Sequence, residues 1–113
     1  MNYNNQKIVK RIAEIEGLEV EECEGELLYW PTNYAETYDP INNAGQAMEL
    51  FEKVIRIEGD ITIESYEDRI DICFMSNSDC SYDFVFSGSL YLTICLAYLA
   101  SKGEDLTQFE EGE

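Results

Sequence analysis

The chain has no histidine and only seven lysines and arginines. Without histidine, the commonest general base and imidazole metal ligand are missing. No C-x-x-C pair links Cys23, Cys73, Cys80 or Cys95, so with histidine also missing no zinc site is expected. These cysteines are expected as reduced thiols, mostly buried; a Cys73–Cys80 bridge across a hairpin is open but would not suit a reducing cytosol. There is no G-x-S-x-G elbow and no Gly-rich phosphate loop. Asp39 with Asn42 and Asn43 lacks EF-hand spacing. No cofactor, no metal site, no catalytic residue and no enzymatic activity are therefore expected. No apolar run is long enough to span a bilayer. Met1-Asn2-Tyr3-Asn4-Asn5 lacks the basic and apolar regions of a signal peptide, so a cytoplasmic location is expected.

What is abundant is acid. Twenty-four Asp and Glu give a net charge of -17 over 113 residues. A small domain needs a magnitude of only about 2–8 for solubility, and self-repulsion opposes compaction. Hydrophobic residues still make up 45% and aromatics 12%, so the chain is expected to fold rather than stay disordered. Its length suits one domain.

Ile8, Ile12 and Ile15, flanked by Val9 and Ala13, predict a first helix over 5–16, stopped at Gly17. Residues 18–23 and 27–30 read as short strands around a Glu24-Gly25-Glu26 turn, with a loop from Pro31 to Asp39. Pro40 then fixes a turn, and Asn42 or Asn43 caps a helix from about 43 to 55. Ala44, Ala47, Met48, Phe51, Val54 and Ile55 predict its buried face. From residue 57 the period becomes two. Ile61 and Ile63, then Ile70, Ile72 and Phe74, then Tyr82, Phe84 and Phe86 read as the inward residues of an antiparallel meander, with turns near 67–68 and 77–79. Ser89 caps a final helix over 90–102, apolar nearly all round and so expected at the centre of the core. The fold class is thus α+β: a single-domain layered α/β sandwich over 1–103, with a mostly antiparallel sheet packed by about three helices. Residues 104–113 are expected to form an acidic, disordered tail.

Tyr38-Asp39-Pro40-x-Asn42-Asn43, Ala47 with Leu50, Ile61-Thr62-Ile63 and Ile94-Cys95-Leu96-Ala97-x-Leu99-Ala100 together resemble a small group of phage and prophage proteins, the phage ABA-sandwich domain and NinX-type family. The resemblance spans roughly residues 7–100. It departs from the family where Ala44 replaces a frequent Trp and where Ser89-Leu90-Tyr91 replaces a Pro-Leu-Arg helix opening. It implies a layered α/β fold and a phage or prophage origin, and it brings no enzymatic activity with it. Tyr38, Asp39, Pro40, Asn42 and Asn43 read as a scaffold motif: a turn, a cap and an anchoring ring.

Between Arg11 and Lys53 there is no basic residue, while eleven carboxylates fall in that interval. In an extended segment Glu19 and Glu21 share one face, about 6–7 Å apart. Duplex DNA carries one charge per roughly 1.7 Å of axis, so a rigid row of carboxylates can occupy a nucleic-acid channel. Phosphates and anionic lipids would be repelled, so direct nucleic-acid and membrane binding are disfavoured. The expected partner is a basic host protein or nucleoprotein complex. The expected contacts are Glu19, Glu21, Glu22 and Glu24, then Glu64, Asp71 and Asp83 if the outer sheet face is open. With the phage resemblance, this points to a small inhibitor of a host nucleic-acid-binding defence complex, of anti-CRISPR or anti-restriction type, acting by nucleic-acid mimicry or steric blocking in the bacterial cytoplasm. The alternative is a non-enzymatic phage accessory module that self-associates or bridges proteins through an aromatic patch of Tyr29, Trp30, Tyr34 and Tyr38, its charge serving only solubility.

Overall fold

The computed structural model describes residues 3–58, 61–75 and 82–111, with the backbone alone for 57, 58, 75 and 82–84. Three helices, α1 (Asn5–Ile15), α2 (Ala44–Glu58) and α3 (Leu90–Ser101), pack with two three-stranded antiparallel sheets. The first sheet is β1 (Glu21–Cys23), β2 (Glu26–Tyr29) and β3 (Glu36–Thr37). The second is β4 (Ile61–Ser65), β5 (Ile70–Met75) and β6 (Tyr82–Ser87). The result is a single-domain α+β fold, as the periodicity predicts. No helix among the described residues is long and apolar enough to cross a membrane.

α3 is the hub, because its apolar residues leave no polar face to present to water. Its residues 93–99 are all buried, and it packs against α1, α2, β5 and β6. Ser89 caps it by accepting from Leu92 N–H. The buried Thr93 hydroxyl is satisfied by Ser89 O at 2.8 Å and the Ser87 hydroxyl at 2.7 Å. Tyr98 reaches out of the core to donate to Glu16, whose carboxylate also pairs with Lys53 of α2. One carboxylate thereby ties α3 and α2 to the end of α1.

α1 and α3 stop in the same way. Gly17 (φ 72°) donates to Glu14 O at 3.1 Å and Leu18 to Ala13 O at 2.9 Å. Gly103 (φ 81°) donates to Ala100 O at 3.0 Å and Glu104 to Leu99 O at 3.0 Å. Both are Schellman caps, which need a left-handed residue and so favour glycine. The second cap sends the chain back across α1, where Arg11 Nε and Nη2 grip Glu104 at 2.7 and 3.0 Å.

Over residues 104–111, that return corrects the expectation of a disordered tail; residues 112 and 113 lie outside the described residues. Leu106–Phe109 form a 3₁₀ turn capped by Asp105, Phe109 is 1% exposed, and Asn4 N–H donates to Phe109 O at 2.7 Å. Tyr3 bridges to Glu110. Acidity at the end of the chain suggests fraying, but Leu106 and Phe109 are apolar anchors that outweigh it.

The hydrogen bond from Arg11, more than its charge alone, holds the Glu104 carboxyl below the usual carboxylate range. A depressed folded pKa adds stability above the unfolded value of about 4.3, and that contribution is lost as pH falls through the folded value. The stability gap between wild type and Glu104→Gln should therefore be steady near neutrality and close below about pH 4. Thermal melts across pH would show it; a gap that persists into strong acid would mean the pairing is not ionic.

Two faces differ from the sequence reading. α2 buries Ala47, Leu50 and Val54, with Phe51 half-buried, while Ala44, Met48 and Ile55 are exposed. α3 is the main element packed on α2, so only one strip of α2 is covered. β6 is inverted: Ile72 pairs with Val85, which is 4% exposed, and Asp71 pairs with Phe86, which is 47% exposed. A one-residue difference in register exchanges the two faces of a strand. Phe86 instead lies outside, with the Arg69 guanidinium 5.1 Å from its ring centre and 5.1 Å from that of Tyr66. The predicted turn at 77–79 and Cys80 fall outside the described residues.

Candidate binding face

The scaffold motif builds the junction between the first sheet and α2. Tyr38 and Pro40 are buried, and Tyr38 meets Tyr29 edge-on at 5.4 Å. Asn42 donates to Asp39 Oδ2 at 2.8 Å, and Asn43 Oδ1 caps α2 by accepting from Gln46 N–H at 3.0 Å. Gln46 closes the turn, accepting from Asp39 N–H at 2.7 Å and donating to Thr37 O at 2.9 Å. Neither Gln46 nor the short strand β3 is legible in the sequence pattern. Burial pushes the Tyr38 phenol well above its ordinary pKa, and burial pushes the Cys95 thiol up to about 12, with Asp39 adding to it. Cys95 is thus a protonated core thiol.

With that junction fixed, β1 and β2 stand as a hairpin. Glu21 pairs with Leu28, Glu22 with Leu27 and Cys23 with Glu26. Side chains alternate across a strand, and Leu27 is buried, so Glu22 lies on the inner side. There its carboxylate meets Lys10 at 3.0 Å and Gln6 at 2.6 Å. The other side carries Glu21 and Glu26, both exposed, and Glu19 continues that row. At the tip, Glu24 (φ 51°) and Gly25 (φ 82°) make the two-residue turn. Positive φ at both positions is what a type I′ hairpin requires. A non-glycine residue there costs roughly 1–2 kcal/mol, so a carboxylate is displayed at the tip at the expense of stability.

Extending the register by two residues sets Glu19 opposite Trp30. Glu19, Val20, Glu21 and Trp30 line an open groove of about 420 Å³. Trp30 is 47% exposed and Tyr34 79% exposed, while Tyr29 and Tyr38 turn inward. The four-ring patch suggested by the sequence is therefore not assembled.

The acidic residues of the second sheet do not extend this face. Glu64 and Asp71 are paired across β4 and β5, whereas Asp83 stands in the ladder row of Ile61 and Phe74. Its side chain lies outside the described residues. Asp71 is half-buried beside Arg69, with Nε 3.0 Å from Oδ1; that oxygen lacks the alignment for a hydrogen bond and has no hydrogen-bond partner among the described residues. Glu64 accepts from the Tyr66 hydroxyl. Arg69 thus offsets much of the charge on that face.

All seven lysines and arginines are engaged. Lys10, Arg11, Lys53, Arg56 and Arg69 are in ion pairs, Lys7 donates to Gln108 O at 2.8 Å, and Lys102 lies 5.6 Å over the Tyr98 ring. Among the described residues, no ion pair includes Glu19, Glu21, Glu24 or Glu26. No group of three or more possible metal ligands occurs among the described residues either. No protein-family model, no curated protein and no solved structure matches the chain.

Proposed function

We propose that this protein is a small acidic binding protein whose first sheet engages a basic, nucleic-acid-binding protein. The observation that carries this is the hairpin row of Glu19, Glu21, Glu24 and Glu26: exposed and, among the described residues, in no ion pair, while Lys10 is taken by Glu22 on the inner side and the other six lysines and arginines are engaged elsewhere. Such a field repels phosphate and speeds association with a basic surface. The resemblance to small phage proteins makes a host defence complex the target we favour, with the carboxylates standing where nucleic-acid phosphates would bind.

Salt and competition test it. Screening shortens the reach of charge from about 10 Å at 0.1 M salt to about 3 Å at 1 M. A pulldown from bacterial lysate at low salt is expected to recover a nucleic-acid-binding complex that both high salt and added DNA or RNA release. A partner that withstands both would show that the acidic face does not carry the interaction.

A further inference from the structure

We infer that the groove between Glu19, Glu21 and Trp30 receives an arginine side chain from the basic partner. This rests on the acidic hairpin being the partner-binding face, and it says which residue type anchors there. Trp30 is the only tryptophan in the chain and stands 47% exposed. Tryptophan is the ring that best attracts a cation on its face, and two carboxylates that have no ion-pair partner among the described residues share its groove. The aliphatic part of an arginine can lie along Val20 and the indole while its charged end meets the carboxylates.

Arginine fits better than lysine for two reasons. Its planar guanidinium stacks on an indole while donating sideways to carboxylates, and it sheds water more readily than an ammonium. The protein already uses this pairing on its second sheet, where Arg69 lies against Tyr66 and Phe86 beside Asp71. The Trp30 groove has the ring and the acids but no arginine of its own.

The test uses the intact protein with hexa-arginine and hexa-lysine peptides of equal charge, near about 0.15 M salt. Hexa-arginine is expected to change Trp30 fluorescence saturably, at several-fold lower concentration than hexa-lysine. By calorimetry, Trp30→Ala should bind the two peptides equally, and Trp30→Phe should keep part of the preference. Circular dichroism should show both variants folded. Equal binding of the two peptides by wild type, or a preference unchanged in Trp30→Ala, overturns the arginine site while leaving the acidic face standing. If neither peptide binds even at low salt, the acidic-face reading falls, and the arginine site with it.

Discussion

Phe109→Ala is expected to lower folding stability by about 3–5 kcal/mol, the usual cost of truncating a buried phenylalanine. The ring is 1% exposed and sits in the same core as Ile8, Ile12 and Leu99. Small domains are stable by only about 5–15 kcal/mol, and a net charge of -17 pushes this one toward the low end. The loss should appear as a large drop in the urea midpoint. Glu111→Ala, which changes an exposed residue two positions on, should leave the midpoint where it was. If Phe109→Ala unfolds like wild type, the segment after Gly103 does not dock in solution.

The second large effect concerns binding. Reversing Glu19, Glu21 and Glu26 to Lys together should weaken the basic partner by at least about 100-fold, or roughly 2.8 kcal/mol. Each carboxylate is exposed, so the melting temperature should change little. Glu22→Lys is the informative contrast. It breaks the 3.0 Å pair with Lys10 on the inner side of the hairpin, a partly exposed pair worth about 0–1 kcal/mol of stability. Binding should survive it. If Glu22→Lys abolishes binding as thoroughly as the triple variant, the two sides of the hairpin are not distinct in function.

That contrast marks where sequence reasoning stops. Local signals carried far: the isoleucine stripe of α1, the glycines that end α1 and α3, the Ser89 cap and the apolar α3 are all as the pattern predicts. Pairing information did not. Alternation says that Glu21 and Glu22 point opposite ways, but only the neighbour of the strand says which way is out. β6 is the same problem: Phe86 outranks Val85 in hydrophobicity, yet the ladder places Val85 against Ile72. Glu26 reads as a turn residue in the sequence, and only the ladder with Cys23 places it in the outer row. Phe109 is hidden in the sequence by the acids around it, which dominate the composition of the last ten residues.

The central place of α3 has a consequence for how the chain is made. Residues before position 90 leave the ribosome first, and they include β1 to β6, α1 and α2. Ile72, Phe74 and Val85 then lack their main packing partner until α3 emerges. Order of synthesis runs against order of packing, so productive folding waits on the most apolar segment of the chain. During that wait, nascent chains with exposed strands are prone to associate. Their shared negative charge keeps them apart. The same acids that cost the folded protein stability thus protect it while it is still incomplete.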